Sequence, residues 1–227
     1  MSKLLIILAT VATVTSTLSA RTVRSIFLQP PPGAPKSAFL YTGSEAIEVE
    51  LPTRNLSPEV EIPKGQLSLA ILPNALGEDG EVPSGAQRVN IPVEWENCLM
   101  VFLPAAQKEV FPATVLVINT SDSKFPIGET MIYNLTKTHF MGQFGNSQLA
   151  VKPWENGSVK PTGKNGKVYP VAIDCVFPET NKRTAITRTN WVDYPDARQI
   201  LFVTMNSTSK VPRIWGVVDR VRKEDDE

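Results

Sequence analysis

One histidine and two cysteines in 227 residues exclude much chemistry before any motif is sought. A blue-copper centre needs two His with a Cys, catalytic zinc usually takes two or three His, and a Ser-His-Asp triad would have to be built around His139 alone. No Gly-x-Ser-x-Gly elbow is present to supply a nucleophile. Charge of one sign is also lacking. The 23 Lys and Arg balance 23 Asp and Glu, so the net charge attracts neither nucleic acid nor an anionic membrane. Beyond residue 20, no stretch approaches the ~20 apolar residues that a membrane helix needs.

Proline and glycine are plentiful: 19 and 13, spread so that every segment is broken before a long helical period is established. Between the breaks lie short runs rich in β-branched residues, the pattern of strands. Clear cases are Val23 to Leu28, Ala46 to Leu51, Gln66 to Leu72, Cys98 to Leu103, Thr114 to Asn119, Met131 to Leu135, Val168 to Phe177, Ile200 to Thr204 and Ile214 to Val218. Strands at this spacing predict sandwiches. The N-terminus places Lys3 before the apolar run Leu4 to Val14, with small residues at Ser19 and Ala20. That order reads as a signal peptide over residues 1–20, and no cysteine ends the apolar run to take a lipid anchor. The expected location is therefore periplasmic or extracellular.

Laying the chain on itself so that Pro52 meets Pro153 also brings Asn55 onto Asn156, Ser57 onto Ser158, Gly65 onto Gly166 and Leu67 onto Val168. The same offset sets Leu99-Met100-Val101-Phe102 on Ile200-Leu201-Phe202-Val203. Similarity at domain length predicts two tandem immunoglobulin-like antiparallel β-sandwiches, an all-β fold, over residues 21–108 and 111–219. In this reading Val115 to Ile118 opens the second unit, as Val23 to Ile26 opens the first. Lys108 to Pro112 is a short linker, the units meet near Phe111, and residues 220–227 form a charged tail.

The opening Thr22-Val23-Arg24-Ser25-Ile26-Phe27-Leu28-Gln29-Pro30-Pro31-Pro32-Gly33-Ala34-Pro35, then Phe39-Leu40-Tyr41 and Ile62-Pro63-Lys64-Gly65-Gln66-Leu67, resembles a bacterial surface-associated β-sandwich domain of unknown function. That family's turn carries a His and an Asp that this chain lacks. The whole chain, with Tyr133-Asn134-Leu135-Thr136 and Trp191-Val192-Asp193-Tyr194-Pro195-Asp196-Ala197-Arg198, resembles uncharacterised exported proteins of Gram-negative bacteria. The resemblance implies an envelope β protein and transfers no catalytic residue.

A few residues remain as candidates. Cys98 and Cys175 sit in apolar strands and leave two readings open, buried free thiols or one disulfide crossing between the units. Trp154, in the turn Lys152-Pro153-Trp154-Glu155-Asn156-Gly157, and the pair Trp191 and Tyr194 are candidate ligand or partner contacts, set against simple packing at a domain junction. His139 with Met131, Met141 and Met205 could make a soft copper(I) site, but a lone sheet-surface His and core-filling Met are the plainer account. Asn-x-Ser/Thr occurs at Asn55, Asn119, Asn134, Asn156 and Asn206, as glycosylation acceptors or as ordinary turn chemistry. No cofactor is implied. The expected function is a non-enzymatic structural or protein-interaction role in the cell envelope, with an envelope protein or glycan as partner. The alternative is a carbohydrate-binding accessory module using exposed Trp and Tyr.

Overall fold

The computed structural model describes residues 21–76, 80–105, 110–162, 167–206 and 210–220. The predicted signal peptide and nearly all of the predicted tail lie outside the described residues, as do Lys108 and Glu109.

Among the described residues the secondary structure is strand throughout. The first eight strands are β1 (Arg21–Phe27), β2 (Ser37–Tyr41), β3 (Ala46–Glu50), β4 (Val60–Ile62), β5 (Leu67–Leu72), β6 (Gln87–Ile91), β7 (Asn97–Pro104) and β8 (Ala113–Asn119). The next eight are β9 (Thr130–Asn134), β10 (His139–Phe144), β11 (Ser147–Val151), β12 (Asn156–Val159), β13 (Val168–Phe177), β14 (Lys182–Val192), β15 (Ala197–Met205) and β16 (Pro212–Arg220). They form four four-stranded sheets, β3-β2-β5-β6 and β4-β1-β7-β8 in the first sandwich, β12-β9-β15-β16 and β11-β10-β13-β14 in the second. Strand order is the same in both when eight is added to each label. Pairing is antiparallel except for β1 with β7 and β9 with β15. The fold is thus all-β, two tandem sandwiches that are immunoglobulin-like in architecture. Among the described residues no helix is long and apolar enough to cross a membrane.

The boundary between the units differs from the sequence expectation. β8 pairs with β7 from Pro104↔Ala113 to Cys98↔Asn119, so it closes the first sandwich and does not open the second. Phe111 is no linker residue. Its ring lies 5.6 Å from that of Phe102, inside the first core. A β7–β8 hairpin therefore replaces the expected linker, and the second sandwich begins with β9.

The sandwiches meet sheet face to sheet face. Alternate residues of β7 point opposite ways: Cys98, Met100 and Phe102 enter the first core, while Leu99 and Val101 enter a second cluster with Ile26, Leu28, Ile118 and Phe125. That cluster also holds Met131, Ile200, Phe202 and Val217 of the second unit. β15 alternates in the same way, sending Leu201 and Val203 into the third core with Ile132, Phe140, Phe144 and Ile173. Both central strands are buried on both faces, which is why they read as continuous apolar runs.

Candidate functional site

The two long sides of the second sandwich are built differently. On one, β11 and β12 lie close and carry the turn that presents Trp154. On the other, β14 and β16 are the sheet edges, and each is paired along one side only, to β13 and β15. Between those edges runs an open groove of about 580 Å³ lined by Ile186, Trp191, Leu201 and the segment Pro212 to Gly216. A smaller hollow of about 180 Å³ shares Trp191, Leu201 and Gly216 and continues along β16 to Val218. Leu201 belongs to the third core and Ile186, Trp191 and Ile214 pack against it half-buried, so the groove is a strip of the core's edge left uncovered.

The opening has a local cause. Register between β13 and β14 slips between Ile173 and Asp174, whose partners are Thr187 and Ala185, and the extra residue is Ile186. Such a bulge bends an edge strand and re-aims a side chain, and here the inserted side chain is one that lines the groove. The first sandwich has no bulge in its matching strand β6. Its equivalent side is clipped shut by Gln87, whose Nε2 donates to the Val115 carbonyl while its Oε1 accepts from the Val115 N–H, both at 3.3 Å. Neither Ile186 nor the missing clip was visible in the sequence. The bulge depends on a register that only the folded sheet defines.

On the outer face of β13, burial alone would raise the Asp174 carboxyl, but hydrogen bonds from Arg188 and Arg183, with their charges, outweigh it and hold the group below its ordinary value. Between the sandwiches, Asp219 of β16 accepts from Arg198 Nε at 2.7 Å and pairs with Arg24 of β1. Arg198 also donates to Asp122 at 2.9 Å and to the Phe125 carbonyl at 2.8 Å, its guanidinium 5.3 Å from the Phe125 ring centroid. These charges are satisfied by one another. The cluster fixes the seam between the units.

The sequence candidates are placed as follows. Trp154 is 65% exposed with a backbone φ of 63°, a left-handed conformation that is uncommon for a bulky residue. Trp191 is half-buried and tilts against Phe144 with ring centroids 5.9 Å apart, and Tyr194 lies under the Arg220 guanidinium at 5.5 Å. The expected Trp191–Tyr194 pair thus divides, one ring facing the core and the other a cation. Cys98 and Cys175 are free, buried thiols, one in the first core and one on β13 of the far sheet, so the inter-unit disulfide does not form. Burial pushes the Cys98 thiol up to about 12 and raises that of Cys175. His139 is half-buried on β10 opposite Val176, whereas Met131 is in the inter-sandwich cluster. No group of three or more His, Cys, Asp or Glu suited to a metal occurs among the described residues. Asn134 is wholly buried and fully hydrogen-bonded, which rules it out as a surface glycosylation acceptor in the folded protein.

Compared with known proteins, the chain matches no family model and no curated protein sequence at a significant level.

Proposed function

We propose that this is an exported, non-enzymatic protein of the cell envelope with a structural or protein-interaction role, and that its interaction surface is the open β14–β16 side of the second sandwich. The observation that carries this reading is the groove itself: a core strip flanked by two strand edges with unpaired backbone groups. Free edges beside uncovered apolar surface are what proteins normally blunt or cover, and what recognition by strand addition uses. In the first sandwich the matching strands are bridged by Gln87, a contact that the β14–β16 side lacks among the hydrogen bonds of the described residues. The basic-then-apolar order at Lys3 to Val14 supports export, and the recurring strand order supports a tandem repeat.

A photo-crosslinking residue at Val218, on the groove rim, is expected to give discrete adducts in envelope extracts, whereas the same residue at the exposed Val93 of the first sandwich gives none. Equal labelling from both positions, or none from Val218, would defeat the reading.

A second reading, carbohydrate binding, is favoured by one observation: the exposed ring of Trp154, held out on a left-handed turn. A glycan array comparing wild type with Trp154→Ala tests it, and binding that survives the substitution rejects it.

A further inference from the structure

Resting on that docking reading, we propose that the β14–β16 groove takes an extended peptide strand of a partner protein, aliphatic on the side facing the core and acidic at its flanks. Shape, backbone and charge each narrow the occupant. The two joined hollows follow β16 from Pro212 to Val218. At ~3.4 Å per residue that run is roughly 20 Å, the length of a six- or seven-residue strand. Its floor is apolar, with Leu201 and Trp191 at the centre, and Val192, Val211 and Val218 stand exposed on the same two strands or at the start of β16. Gly216 puts no side chain at the middle of the β16 edge, where an incoming backbone would come closest.

A strand engages all of this at once. Its backbone pairs with the edges while alternate side chains enter the floor. An acyl chain or small apolar ligand would fill the trough but leave both rows of backbone groups unused.

Charge selects the flanks. β14 and β16 carry Lys182, Arg183, Arg188, Arg213 and Arg220 against a single acid, Asp219. Asp219 is occupied by Arg24 and Arg198, and Asp174 of β13 offsets only Arg183 and Arg188. Lys182, Arg213 and Arg220 are left without an acidic partner among the described residues; Arg213 lines the groove itself, Lys182 and Arg220 stand at the ends of β14 and β16, and a strand acidic at its flanks complements them. A second copy docking β16 antiparallel against β16 about its middle would instead set Arg213 of each copy against Arg220 of the other, a like-charge arrangement that opposes pairing.

The test uses the purified protein and a blocked decapeptide of alternating valine and glutamate, with a valine–lysine decapeptide as control, followed by isothermal titration and tryptophan fluorescence. The acidic peptide is expected to bind at least tenfold tighter than the basic one and to weaken with added salt. Val218→Gln, which fills the rim with a longer neutral polar side chain, and Arg213→Glu, which reverses its charge, each reduce that binding tenfold or more, while Trp154→Ala leaves it unchanged. If the basic peptide binds as well and Val218→Gln still abolishes the response, the groove remains a docking site and the acidic occupant is wrong. Binding indifferent to Val218→Gln overturns both, and binding of neither peptide overturns the occupant. Self-association in sedimentation that Val218→Gln abolishes would assign the groove to a second copy and overturn the proposal. Circular dichroism of both rim variants establishes that they are folded.

Discussion

The amide of Asn134 is wholly buried and donates to three carbonyls, Thr138 at 2.7 Å, Lys152 at 3.0 Å and Val151 at 3.3 Å. Its Oδ1 accepts from the Thr136 hydroxyl at 2.7 Å. One side chain thereby joins the β9–β10 turn to the end of β11 and the start of the Trp154 turn. Asn134→Ala leaves those carbonyls and a hydroxyl without their partner, each at the cost of an unmade buried hydrogen bond, so a loss of about 2 to 3 kcal/mol is expected in urea unfolding. Asn134→Asp is expected to be as severe, since it replaces the donor with a second acceptor. A loss below about 0.5 kcal/mol in either variant would show that water serves these carbonyls instead. Little of this role is legible in the sequence, where Asn134-Leu135-Thr136 has the form of a glycosylation site. Residue spacing shows a turn former, and only the partners from β11 show that it faces inward.

At the scale of elements, legibility follows burial. β7 and β15 stand out because both faces are covered, β5 and β13 because apolar residues dominate them, and β1 because Val23 and Ile26-Phe27 are followed directly by Leu28. β14 was not recognisable as a strand: Lys182-Arg183-Thr184-Ala185-Ile186-Thr187-Arg188 has exposed positions on both faces, and its bulge breaks the alternation of period two. β2, β4, β6, β10, β11 and β12 leave no clear run in the sequence, being short or broken by glycine and polar residues. The β13–β14 pair also carries a carboxylate held below its ordinary value. Asp174 has a depressed pKa when folded, so its contribution is present above the unfolded value of ~3.9 and is lost as pH falls through the lower folded value. Asp174→Asn should therefore cost about 1 kcal/mol at pH 7, a modest figure because Arg183 and Arg188 are more than half exposed. The gap between wild type and variant should narrow as pH drops below ~4. Chemical denaturation at pH 7 and pH 3 checks the sign. A gap that widens in acid would mean that Asp174 does not draw its stability from the ionised form.

For the whole molecule, the question is whether two sandwiches behave as two domains or one. A flexible pair would share a small, polar contact, but here the middle layer is a core in its own right, with Ile26, Leu99, Val101 and Phe125 packed on Ile200, Phe202 and Val217. β7 and β15 each belong to two cores, so unfolding either sandwich strips one face of the other's central strand. The Arg24–Asp219–Arg198 cluster adds a polar lock to the same seam. Heating should accordingly give a single calorimetric transition whose van't Hoff and calorimetric enthalpies agree. Phe202→Ala removes a fully buried ring from the shared layer, and Asp219→Asn leaves Arg24 and Arg198 without their common counter-charge. Each is expected to lower that one transition, by about 3 to 5 kcal/mol for the cavity and about 2 kcal/mol for the lost charge, since Arg24 keeps Glu59 and Arg198 keeps Asp122. Two resolved transitions in the wild-type protein would contradict this coupling. A Phe202→Ala variant that destabilises only one half of the protein, read by hydrogen exchange on β2 and β10, would contradict it equally. Cooperativity of this kind also bears on the groove, because β15 supplies Leu201 to its floor and Phe202 to the seam on adjacent residues. A strand bound at the β14–β16 side should raise the melting temperature of the whole chain, first sandwich included, by mass action on one folded state.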